Sequence, residues 1–177
     1  MTKELATIAL ALLSVTAALA QSPCVRSSPL TAQERIAQRD IQARIDEAIE
    51  ADEAKDFEAK IHYFAPDFTL RLVDGAVISR EQTEKNLKRD MDWNITVSDQ
   101  TTAKIACFEL KGKEAVAITD QRYVRTVPDR KDGSPHELIT SVRHKEIWVF
   151  TESGWLVKRI DVLKEGPIYL DGELYEP

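Results

Sequence analysis

The region from residue 101 to residue 163 constrains the fold most. It holds three long strand-like runs, Thr101 to Leu110, Ala115 to Val127 and Glu137 to Phe150, and then a fourth, Trp155 to Leu163. The gaps between them are Lys111-Gly112-Lys113, a looser Pro128-to-Pro135 loop, and Glu152-Ser153-Gly154. Runs of this kind bounded by Gly, Pro and Ser read as strands. Connections this short join antiparallel neighbours, because a parallel return needs a crossover of a dozen or more residues. The spacing therefore predicts an antiparallel meander, one face of which must be covered by other parts of the chain.

The preceding segment supplies the cover. Thr31 with Glu34 forms a capping box after Pro29, and Ile36, Ile41, Ile45, Ala48 and Ile49 fall on one helical stripe, which predicts a helix from about Ala32 to Ala54. Phe57, Ile61 and Phe64 predict a second, short helix stopped by Pro66. Phe68 to Val73 reads as a strand, broken by Asp74-Gly75 and resumed at Ala76-Val77-Ile78. Ser79 and Gln82 suggest another capping box, opening a polar helix that presents Leu87 and Met91, ends near Trp93, and should lie lightly packed on the outside. Helix, helix, hairpin, helix and meander make an α+β pattern, with helices on one face of a curved antiparallel sheet whose mouth can hold a small molecule. The tail from Lys164 to Pro177 is expected to lie across the body.

The N-terminus adds an address. Lys3 precedes an apolar run from Leu5 to Ala20 that closes on Ala18-Leu19-Ala20, the small-x-small pattern of signal-peptide cleavage. The run is shorter than the roughly 20 residues that cross a bilayer. Residues 1–20 are thus expected to be a bacterial signal peptide and 21–30 a leader, with the domain at 31–163, the tail at 164–177, and the mature chain exported to the periplasm or medium. Cys24 lacks the lipidation setting, since Gln21-Ser22-Pro23 stand where an aliphatic and a small residue belong. A net charge of −6 repels phosphate backbones, so neither nucleic acid nor, after cleavage, an anionic membrane is an expected partner. Cys24 and Cys107 admit either a disulfide, worth roughly 4–5 kcal/mol for a loop of about 80 residues, or two thiols.

Several stations along the chain carry a resemblance. Asp56-Phe57, Tyr63-Phe64-Ala65-Pro66-Asp67-Phe68, Asp74-Gly75, and Ile147-Trp148-Val149-Phe150 leading to Ser153-Gly154-Trp155 resemble, in order and spacing, the nuclear-transport-factor-2-like (SnoaL-like) superfamily, in particular its stand-alone branch of unassigned function. The resemblance spans about Thr31 to Leu163 and implies a cone-shaped α+β fold. That fold hosts isomerases, cyclases, dehydratases, scaffolds and binding modules, so it does not dictate function. In the superfamily's ketosteroid isomerases, a carboxylate base works beside a tyrosine and a protonated acid. Counted from the shared stations, those positions fall on Leu72, Ala48 and Glu146, so isomerase chemistry of that kind is not expected.

Alternation in the third long run places Val142, His144, Glu146 and Trp148 on one face, which the resemblance makes the cavity face. The same comparison turns Arg159 and Asp161 of the fourth run inward, with Trp93 and Tyr123 as apolar walls. Two readings stand. These residues form a small-molecule site in which His144, Glu146 and Asp161 are the acid/base candidates, or Glu146 with Arg159 and His144 with Asp161 are ion pairs that only set strand pairing and hold both carboxylates ionised. His62, His136 and His144 lack metal-ligand spacing, and no phosphate-cradling or nucleophile motif is present, so no metal or cofactor is expected. The function expected is an exported small-molecule-binding domain without strong catalysis. The alternatives are a cofactor-independent isomerase or lyase, and a homodimeric interaction module using apolar positions such as Val116, Ile118, Ile139, Ile147 and Val149.

Overall fold

A computed structural model describes residues 28–93, 95–129 and 131–175. The expected signal peptide, cleavage site and most of the leader lie outside the described residues. Helix α1 (Ala32–Glu53) begins with the full capping box: Glu34 donates its backbone N–H to Thr31 Oγ1, and Thr31 donates its own to the Glu34 carboxylate. Its buried face is Ala37, Ile41, Ile45, Ala48 and Ile49; Ile36, expected on that stripe, is 54% exposed. Helix α2 (Phe57–Ile61) is capped by Asp56, and α3 (Arg80–Asp92) by Ser79. Gln82 does not complete the second box, since its side chain donates to Asn86 instead. Helix α3 buries no residue completely, as its polar sequence anticipates.

The strands are β1 (Phe64–Arg71), β2 (Val77–Ser79), β3 (Thr96–Val97), β4 (Thr102–Lys111), β5 (Glu114–Pro128), β6 (Pro135–Thr151), β7 (Gly154–Glu165), β8 (Tyr169–Leu170) and β9 (Glu173–Leu174). The meander β4–β5–β6–β7 is antiparallel throughout, but β1 runs parallel to β7, so the sheet is mixed rather than purely antiparallel. The chain between β1 and β7 holds β2, α3 and β3 to β6, far more than the dozen residues that a parallel return needs. Pro66 lies inside β1 instead of ending a helix. It falls in the stretch between Phe64 and Thr69 where the β1–β7 register slips, so its missing N–H costs no ladder bond.

One face of the curved sheet packs on α1. Ile41, Ile45 and Ala48 meet Phe64, Phe68, Phe108, Ala115, Ala117, Trp148 and Val157 in a single core. Alanines at positions 115 and 117 leave room for Trp148, which is fully buried. Residues 168–174 form a small hairpin on β6, where Tyr169 and Leu170 pair with Ile139 and Leu138. Asp171 fastens it: its carboxylate accepts from the Glu137 backbone at 2.8 Å and contacts His136 Nδ1 at 2.6 Å.

Candidate functional site: a cavity at the open end of the cone

Paired residues on neighbouring strands share a face. The β5–β6 register therefore lays out the inner face as Ala115–Trp148, Ala117–Glu146, Thr119–His144, Gln121–Val142, Tyr123–Thr140 and Arg125–Leu138. At the packed end Glu146 is fully buried. It accepts from Thr119 Oγ1 at 2.7 Å, Gln121 Nε2 at 2.9 Å and Trp148 Nε1 at 3.0 Å. Burial outweighs these three donors and pushes its pKa up to about 7. Tyr63 stacks edge-on against Trp148 at 5.2 Å between centroids, and burial, followed by the Glu146 charge, raises its pKa. Burial lowers the pKa of His144 to about 4, and among the described residues neither its Nδ1 nor the neighbouring Gln121 Oε1 has a hydrogen-bond partner.

The inner face opens into space at its other end. A cavity of about 970 Å³ is lined by Trp93 and Ile95 after α3, Val127 and Pro128 of β5, Asp129 just after it, Leu138 and Thr140 of β6, and Ile168, Leu170 and Tyr175 of the C-terminal segment; the Asp129 carboxylate lies 3.9 Å from His136 Nε2. A second cavity of about 360 Å³ shares Ile95, Val127 and Leu138 with it and adds Asp52, Leu87, Asp90, Met91, Val97, Tyr123 and Arg125. The rim stays apolar although water reaches it: Trp93 is 55%, Ile168 36% and Tyr175 48% exposed. Tyr123 borders the smaller cavity, and burial followed by the Asp52 charge raises its pKa.

Of the residues singled out from sequence, Trp93 lines the larger cavity and Tyr123 the smaller. His144, Glu146 and Trp148 face inward but line neither cavity. Arg159 and Asp161 are corrected outright, because β7 skips Lys158 in its pairing with β6: Trp148 pairs with Val157, but Ile147 pairs with Arg159. This β-bulge inserts one residue and reverses the phase of alternation. Arg159 and Asp161 consequently share the outer face with Ile147 and Lys145, and Ile160 points at the core. Neither expected cross-strand pair forms. Asp161 instead contacts Arg159 at 3.2 Å and Arg71 at 3.8 Å. Glu146 is likewise not held ionised by an arginine; its partners are neutral.

Sequence reading missed Arg125, Leu138 and the tail residues Ile168 and Leu170. Alternation along β5 puts Arg125 on the same face as Tyr123, two residues earlier, and was the signal available for it. The tail offers no such signal, because its docking on β6 is set by the hairpin.

No protein-family model matches the sequence, and no curated protein matches it. Solved structures do. A conserved protein from Planctomyces limnophilus superposes with a TM-score of 0.61 at 13% identity, over 77% of this chain and 98% of that one. A nuclear transport factor 2-like superfamily protein from Salmonella enterica gives 0.56 at 17% identity, over 72% and 90%. A nuclear-transport-factor-2-like protein from Cytophaga hutchinsonii gives 0.55 at 13% identity, over 71% and 96%. At such identities the likeness is one of fold.

Proposed function

We propose that this chain, which has the nuclear-transport-factor-2-like fold, is an exported binding domain for a small, largely apolar molecule. The observation that carries the reading is the cavity of about 970 Å³, whose lining is apolar apart from Asp129 and Thr140 and whose exposed rim includes Trp93, Ile168 and Tyr175. Its size falls within the range usual for ligand sites, and apolar side chains left in water at a concave surface favour an occupant. Export rests on the N-terminal segment that ends at Ala20. The neutral dye Nile red tests the reading. It should bind saturably with a blue-shifted emission, and Ile168→Glu, a change at the exposed rim that spares the core, should weaken binding by about tenfold or more. Absence of saturable binding to the native chain would overturn it.

A cofactor-independent isomerase or lyase is a second reading, favoured by the pKa of Glu146 near 7, where a carboxyl group can both give and take a proton. Asp161, on the opposite face, has no part in it. A substrate in the smaller cavity reaches Glu146 only if the intervening side chains move, and Tyr123 stands at that wall. A second copy of the chain is the proposed partner for the outer sheet face.

A further inference from the structure

Three charged side chains line the smaller cavity: Asp52, Asp90 and Arg125. Asp52 is held by Lys60, whose ammonium also donates to the Ala48 carbonyl at 3.0 Å, and Asp90 contacts Arg89 at 2.9 Å. That leaves Arg125. Its guanidinium lies 4.4 Å from the Tyr123 ring centroid and donates from Nη1 to Thr140 Oγ1 at 3.1 Å, and it makes no ion pair among the described residues. Thr140 lines the larger cavity and Arg125 the smaller, and Ile95, Val127 and Leu138 border both. Arg125, the one cation lining the smaller cavity and without an ion pair among the described residues, therefore stands beside the apolar wall that the two cavities share.

Resting on the binding function proposed above, the geometry points to an apolar monocarboxylate as the ligand class, with its hydrocarbon body between Trp93, Leu138 and Ile168 and its carboxylate on Arg125. A half-buried guanidinium gains most from a planar anion that accepts two parallel N–H bonds. The Tyr123 ring and the Thr140 hydroxyl hold its plane in place, so little ordering is left for the ligand to impose. One free positive charge matches one negative charge. A dianionic phosphate ester would bring surplus charge close to Asp52 and Asp90.

Decanoate and decan-1-ol have the same hydrocarbon chain length and differ in the headgroup, so calorimetric titration of each into the native protein at neutral pH is the test. Decanoate should bind about tenfold tighter or better, equivalent to about 1.4 kcal/mol. Arg125→Met, which keeps an apolar stem but no charge, should remove that advantage and leave decan-1-ol affinity within about twofold. Arg125→Lys should retain part of it, since the charge survives but the planar fork does not. Equal binding of the two probes by the native chain would overturn the carboxylate assignment and leave the binding reading intact. If neither probe nor Nile red binds, both fail. The comparison on the native chain needs no variant, so a misfolded Arg125→Met could not rescue the idea.

Discussion

Glu146 and His144 lie two residues apart on β6 and titrate in opposite senses for one physical reason: burial disfavours whichever form is charged. Between its unfolded value of 4.5 and about 7, folded Glu146 keeps a proton that the unfolded chain releases, so its contribution to stability falls as pH rises. The fall is on the order of 3 kcal/mol. His144 acts the other way. Between about 4 and 6.5 the unfolded chain takes up a proton that folded His144 refuses, so stability rises with pH by a similar amount. Over the shared window the two offset each other. Urea unfolding across that window should show Glu146→Gln gaining stability relative to the native chain as pH rises through about 7, and His144→Gln losing it as pH rises through 6.5. A flat difference for Glu146→Gln would mean that Glu146 is ionised throughout, as the ion-pair expectation required. Alternation put both residues on one face of β6, and the resemblance identified that face as the inner one. Neither could say that the donors around Glu146 would be Thr119 and Gln121 on β5, because that choice depends on strand register.

At the scale of elements, the phase of one strand governs the site. Up to Val157, alternation along β7 runs as the sequence suggests; past Lys158 it is inverted, and Ile160 rather than Arg159 reaches the core. Ile160→Ala should therefore cost about 2 kcal/mol or more, the usual range for truncating a packed isoleucine. Arg159→Ala, which breaks only a partly exposed contact with Asp161, should cost less than about 1 kcal/mol. Chemical denaturation of the two variants checks the ranking, and the reverse order would restore unbroken alternation. The elements with strong local signals formed where expected: α1 on its capping box and apolar stripe, and the turns at Gly112 and Gly154, whose positive φ of 62° and 94° glycine tolerates without strain. Bulges carry no comparable sequence signal, since one extra residue in a ladder costs little locally and is chosen by the neighbouring strands.

Across the whole molecule, the helices cover one face of the sheet, and the other carries Val116, Ile147 and Val149, each only partly buried, with Lys145, Arg159 and Asp161 beside them; Ile118 on that face is buried. Sedimentation of the native protein at micromolar concentration should show a dimer, and Ile147→Glu should return a monomer with an unchanged circular dichroism spectrum. A native monomer would remove the second copy as the occupant of that face. Cys107 is disulfide-bonded; Cys24, the other cysteine in the sequence, lies outside the described residues. By itself the sequence determined the helices, the meander and the α+β class, because capping, periodicity and turn chemistry are local and leave their mark within a few residues. It also marked Trp93 and Tyr123 as candidate walls. Only the tertiary structure decided which face Arg159 and Asp161 occupy, that Glu146 is surrounded by neutral donors, and that Ile168 and Leu170 of the C-terminal segment line the larger cavity. Each of these depends on register between segments far apart in sequence, and register is settled by the packing of the assembled sheet.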